Sequence, residues 1–259
     1  MKATSVDDIV AKFSNKTLPK IDGEPDYEAI NQLIQMLYGN AATLPTTLGG
    51  GQHGHVGILM KDTLYHTLSA TPYVTPIDPG ASAQNIPAAA SVALRQQLRD
   101  EHVEQQRIYQ NHINMDDALK TQLIDAVDEP YISELRNKYT GFMGITTRDM
   151  VDHLLDRYGK ITPADLKDNE RRMNEPLDGS QPIDIFFKRI DNAVQYADDG
   201  NTPYTPQQIL QTVFHAVNAT GMYKDACKEW RKKPVASKTW TTFKIFSPPN
   251  ITIFESNKN

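Results

Sequence analysis

The 259-residue sequence holds a single cysteine, Cys227. One thiol forms no internal disulfide and completes no zinc site that needs several thiolates. It also excludes a two-thiol redox cycle. Long apolar runs are missing too: no stretch approaches the ~18 residues of a membrane span. Neither sign of charge dominates. Lys and Arg number 27 against 32 Asp and Glu, a net of −5, which excludes a uniformly basic nucleic-acid binder. The first twenty residues carry Asp7 and Asp8 and lack the apolar core of a secretory signal. The expected setting is therefore the reducing cytoplasm, where the Asn-x-Thr triplets at Asn15, Asn218 and Asn250 carry no glycan.

What is present reads as helices divided by strong punctuation. At ~100–200 residues per domain, the length allows one large domain or two small ones. Ser5 is placed to cap a short helix bearing Ile9, Val10 and Phe13. Pro25 reads as a first helical residue, Ile30, Leu33, Ile34 and Leu37 follow at helical spacing, and Gly39 reads as the stop. Residues 40–87 are broken by repeated Gly and Pro and read as loop, with one helix near Asp62–Ser69. Residues 88–127 contain neither Gly nor Pro. A continuous helix there would span ~60 Å. Its apolar positions hold no heptad, so no coiled coil is expected; Asn114, with Asp117 three residues on, is placed to start a fresh helix and break the rod.

One device recurs three times downstream. Thr146-x-x-Asp149, Thr162-Pro163-Ala164-Asp165 and Thr205-Pro206-Gln207-Gln208 each sit between an apolar residue before and another after. The Thr can accept from first-turn N–H groups, the third residue on can reach back, and the apolar pair can close as a staple. Three helix starts are expected at Thr146, Thr162 and Thr205. Pro182 opens a further helix with Ile185, Phe186, Ile190, Val194 and Ala197 on its buried stripe; Gly159, Gly200 and Gly221 follow helix ends. The expected fold is all-α, with two helical lobes joined by a long helix or helix pair. The expected parts are 1–87 with a Gly/Pro-rich loop, 88–145 completing the first lobe, 146–246 as the second, and an irregular tail, 247–259.

Four features invite a chemical reading. Gly49, Gly50, Gly51, His53, Gly54 and His55 form a glycine–histidine run. Such backbone can wrap an anion, and paired histidines can share a metal. No Gly-Lys-Ser/Thr follows, and the closest acid is Asp62, so no ligand set is complete. The plainer reading is a tight structural loop of unknown role. Tyr196-Ala197-Asp198-Asp199 matches the Tyr-x-Asp-Asp of reverse transcriptases, but it ends a helix rather than a β-hairpin. Asp178-Gly179-Ser180 has the wrong order for an aspartic protease. Cys227 beside Lys228 could have a depressed pKa, or be a small half-buried side chain; His153 and His215 read as surface or satisfied core residues. No catalytic residue, metal or cofactor is assigned.

A further feature is a charge shift. Residues 224–259 carry a net +5, leaving −10 for the rest. Lys224, Lys228, Arg231, Lys232, Lys233, Lys238 and Lys244 interleave with Trp230, Trp240 and Phe243. Such a mixture suits nucleic-acid backbone contact with stacking; Trp240 joins the lysines as the candidate stacking residue. The aromatics could equally anchor the last helices, with the lysines solvating them. A charge polarity between neighbouring subunits is a third use.

Several of these runs carry a resemblance. Thr147-Arg148-Asp149-Met150-Val151-Asp152-His153-Leu154 and Tyr158-Gly159-Lys160-Ile161-Thr162-Pro163-Ala164-Asp165-Leu166 come first. Gln181-Pro182-Ile183, Gly200-Asn201-Thr202-Pro203-Tyr204, Ala219-Thr220-Gly221, Lys228-Glu229-Trp230-Arg231 and Lys238-Thr239-Trp240-Thr241-Thr242-Phe243-Lys244 follow in order. With the glycine–histidine run and Thr71-Pro72-Tyr73-Val74, this pattern resembles the Gag protein of copia-type LTR retrotransposons over roughly residues 25–246. The resemblance implies an α-helical capsid protein, not an enzyme, that self-assembles into a cytoplasmic shell around the element's RNA. It implies partners of two kinds, further copies of the chain and RNA, with no membrane and no small-molecule substrate. One cysteine precludes the family's zinc knuckle, so RNA contact would rest on the lysines and tryptophans near the end. Ser247-Pro248-Pro249-Asn250 departs from the family's helical continuation. An RNA-binding module acting through residues 224–244 without assembly, and a metal-dependent hydrolase on His53 and His55, stand as alternatives.

Overall fold

A computed structural model describes residues 2–246 apart from 84, 85 and 88. The expected tail, 247–259, lies outside the described residues. Eleven α-helices form among those described and no strand does. The fold is all-α. No described helix is long and apolar enough to cross a membrane. The chain divides into two compact units, residues 1–160 and 161–259.

The first unit is built from α1 (Val6–Lys12), α2 (Tyr27–Ala41), α3 (Asp62–Tyr65), α4 (Val92–Ala126), α5 (Glu129–Ile132) and α6 (Thr147–Tyr158). Ser5 caps α1, its side chain accepting from the Asp8 N–H. The cap of α2 is Asp26 rather than the residue before Pro25: the Asp26 carboxylate accepts from the Ala29 N–H. Gly39 does not stop this helix, which runs on to Ala41. Burial of Asn40 and Ala41 against the core continues it through the glycine.

Helix α4 is one 35-residue rod. The expected break at Asn114 does not occur, because that amide is occupied elsewhere. It donates to the Thr4 carbonyl at 2.7 Å and accepts from Gln110. Asn111 meanwhile accepts from the Thr4 N–H at 2.7 Å. The two residues therefore clamp the chain before α1 onto the rod. Only the second half of α4 is buried; Met115, Ala118, Leu119 and Leu123 pack with Ile9, Ile30, Leu33 and Leu37.

Helix α6 adds Met150, Val151 and Leu154 to that same core. This moves the division of the chain. Residue 146 was expected to open the second lobe, but the units part after Lys160. The long helix is likewise not a joint between lobes, because α4 belongs wholly to the first unit. A local capping signal marks a helix start; it says nothing of which core the helix joins.

The second unit contains α7 (Pro163–Met173), α8 (Ile183–Asp199), α9 (Pro206–Ala219), α10 (Lys224–Lys232) and α11 (Trp240–Phe246). Its core gathers Met173, Phe186, Phe187, Ile190, Val213, Cys227, Trp230 and Phe243. Asn169 is buried and donates to the Ala193 carbonyl at 2.8 Å, fastening α7 to α8. All three Thr starts are reciprocal boxes: Thr146, Thr162 and Thr205 accept from the third backbone N–H while Asp149, Asp165 and Gln208 reach back. An Asp in place of the usual Glu or Gln closes the first two, which the tighter side chain still spans.

Candidate functional site

The glycine–histidine run starts at the surface, where Gly50, Gly51 and Gln52 are exposed, and from Gly54 onward it folds into the first unit's core. Two short 3-10 turns, Leu48–Gly50 and Val56–Ile58, carry it. Residues 54–60 are buried throughout. Two glycines are explained by what presses on them. A Cβ at Gly57 would lie 2.1 Å from the Tyr73 ring, and one at Gly54 2.8 Å from the Ala42 carbonyl oxygen. The run therefore approaches its neighbours more closely than any side chain permits.

Its two histidines part company. His53 is half-exposed, with Nε2 3.0 Å from the Leu68 carbonyl. His55 is fully buried, with Nδ1 3.0 Å from the Tyr73 hydroxyl. That hydroxyl also meets Nδ1 of buried His112 on α4 at 3.0 Å. The result is a relay, His55–Tyr73–His112, inside a mostly apolar core. Burial and the neighbouring His112 lower the His55 pKa to about 4. Burial also lowers the His112 pKa, against a raising influence from Asp116. Burial raises the Tyr73 pKa. All three groups are thus neutral at pH 7.

The neighbouring polar groups are tied into the frame. Asp116 accepts from the Thr147 N–H at 3.0 Å, and the Thr147 hydroxyl donates to the Asp116 carbonyl at 2.9 Å. Arg148 donates to the Gly57 carbonyl at 2.7 Å and to the Met60 carbonyl. The loop is held from α6 by the Arg148 guanidinium and linked to His112 of α4 through the Tyr73 hydroxyl. Among the described residues no three His, Cys, Asp or Glu side chains gather as a metal-binding group. Tyr73, His112, Asp116 and Arg148 have no sequence signal linking them to the run, since they come from three separate segments. A tyrosine within a Pro-rich loop is the one hint.

The basic segment lies in the second unit. Trp230 and Phe243 are buried, with ring centroids 4.9 Å apart in a T-shaped contact. Trp240 is half-buried and edge-on to Phe187. Its indole N–H donates to Asp191 at 2.6 Å, and Lys244 meets the same carboxylate at 2.9 Å. Lys228 pairs with Asp225 and Lys232 with Glu229 along α10. Lys238 donates to the Arg231 carbonyl at 3.1 Å. Arg231 stacks over Phe214, and Lys233 over Phe246. Lys224, Lys228, Arg231 and Lys232 are exposed. The segment thus offers surface cations, while its aromatics are spent on the core.

The remaining motifs settle into structural roles. Tyr196–Asp199 is the last turn of α8. Cys227 is buried, and burial raises its pKa above the usual thiol value while Arg231 opposes this more weakly. His153 lies 3.1 Å from the Tyr131 carbonyl, and His215 is exposed. A shallow apolar groove also opens beside the basic segment, between α9, α10 and the turn Val235–Ser237. No family model, curated protein or solved structure matches this chain.

Proposed function

We propose that this chain is a Gag-like structural protein that associates with copies of itself and encloses RNA. The observation that carries this reading is the ordered series of retrotransposon Gag-like motifs across residues 25–246. Their placement supports it. Thr162-Pro163-Ala164-Asp165 is a helix cap, Gly200-Asn201-Thr202-Pro203-Tyr204 is the connection into α9, and Trp230 and Phe243 are core anchors. Motifs spent on helix joints and core anchors suit a scaffold better than a catalyst. The long rod of α4 leaves its first turns exposed, and an assembling protein has use for uncovered helix. Electron microscopy of the purified chain with and without RNA tests the reading. Closed or sheet-like particles are expected, more of them with RNA; a chain monomeric under every condition overturns it.

RNA contact in this reading falls to the cations of α10 and its flank, since the tryptophans are engaged. Each phosphate neutralised contributes to the salt dependence of binding. Lys232→Ala/Lys233→Ala is expected to lower the slope of log affinity against log salt by about one to two. An unchanged slope removes this segment from RNA binding. The same segment acting alone, without assembly, is the second reading; binding without particles would favour it.

A further inference from the structure

The groove in the second unit has an apolar floor of Leu210, Phe214 and Trp230, with Val235 on its edge and a volume of about 500 Å³. Val235 is 84% exposed. Its two charged lining residues are both cationic, Arg231 and Lys238. The groove asks for an occupant with an apolar ridge and a negative charge beside it.

The first unit carries such a ridge. Residues 72–80 form neither helix nor strand, and Pro72, Pro76 and Pro79 bias them toward an extended, three-residue-per-turn backbone. The burial pattern has that period. Tyr73 is buried and Pro76 and Pro79 are half-buried, forming the inner rail. One residue on, Val74 and Ile77 point away from the core, 65% and 88% exposed. Beside them Thr75 and Asp78 are exposed as well. Extended segments of this kind present preordered side chains to aromatic-lined grooves at low entropic cost.

We infer that the Val74–Ile77 ridge of one copy docks in the Leu210–Phe214–Trp230 groove of another, with Asp78 facing Arg231 and Lys238. The occupant is a second copy because the ridge and groove are complementary in both charge and apolar character. The contact is heterologous, since each molecule offers one ridge and one groove. This inference rests on the self-association part of the reading above and supplies its contact.

A charge swap tests it by sedimentation velocity over a concentration series, using the full chain. Asp78→Lys places a cation against a cationic groove, and Arg231→Glu/Lys238→Glu places an acid against an acidic one. Each variant alone is expected to need at least about tenfold more protein for half-association than the parent. Mixed in equal amounts, they are expected to recover the parent's behaviour, because each then meets an opposite charge. Val74→Ser/Ile77→Ser is expected to lose association without that rescue. Variants that associate like the parent, or a mixture that stays dissociated, overturn the inference. Particles that persist in the variants overturn it while sparing the Gag-like reading. Charge-swapped association limited to short oligomers, without RNA enclosure, upholds the contact and overturns the reading. A parent monomeric at all concentrations overturns both.

Discussion

The Tyr73 hydroxyl stands 3.0 Å from Nδ1 of His112 and equally close to Nδ1 of His55. A hydroxyl has one proton, so it donates to one ring and accepts from the other. The Nε2 of His55 has no partner. The arrangement that costs least puts the proton of His55 on Nδ1, donating to Tyr73, which donates in turn to His112. Only a lone pair is then left unpaired, not an N–H.

This relay makes the first unit sensitive to acid. The folded pKa of His55, about 4, lies below its unfolded value of 6.5. Unfolded chains therefore bind the proton first as pH falls. The stabilisation is complete above pH 6.5 and is lost as pH drops toward 4. The loss from His55 is roughly 3 kcal/mol. His112 reinforces the trend, since burial lowers its pKa too, with Asp116 opposing. Urea midpoints measured from pH 7.5 to 4.5 should fall steeply in the parent and less in His55→Gln.

Tyr73→Phe removes the hydroxyl shared by two buried rings. Both Nδ1 atoms then lose their partner while the packing volume is kept. A loss of about 1–3 kcal/mol is expected. Equilibrium denaturation at pH 7 measures it, and a neutral substitution would show that the relay contributes nothing.

Gly57→Ala should be far worse than Gly141→Ala. The added methyl at 57 meets the Tyr73 ring at 2.1 Å, whereas at 141 nothing lies within 4 Å. Gly141 has φ +62, so its substitution still costs about 1 kcal/mol of backbone strain. At 57 a buried ring must move, at about 3 kcal/mol or more. Thermal melts of the pair should separate clearly.

Each capping box is separable. Thr146→Ala, Thr162→Ala and Thr205→Ala should each cost about 1 kcal/mol, and the Ser variants much less. Circular dichroism melts would check this; equal losses for Ala and Ser would point to the methyl group instead of the cap.

Cys227 should behave as a core residue. Its buried, pKa-raised thiol is expected to react with iodoacetamide only after denaturant opens the second unit. Rapid labelling of the native chain would contradict that placement.

The helix starts were readable because a capping box spans three residues and the apolar stripe repeats within a few turns. Thr146, Thr162 and Thr205 each carry their partner nearby. So did the alternation of helix and loop, and with it the all-α class. The continuity of α4 was not readable, since Asn114 caps nothing here; its partner Thr4 is 110 residues away. The boundary after Lys160 was equally hidden, because a cap does not say which core its helix joins. The same holds for the glycine–histidine loop. Its spacing raised a metal or anion site, yet His55 finds Tyr73 18 residues on, Tyr73 finds His112 39 residues on, and Gly57 receives Arg148 from 91 residues away. Local hydrogen-bond geometry is written in neighbouring residues and survives in any reading of the sequence. Which polar groups meet inside a core depends on how distant helices pack, and only the tertiary structure decides that.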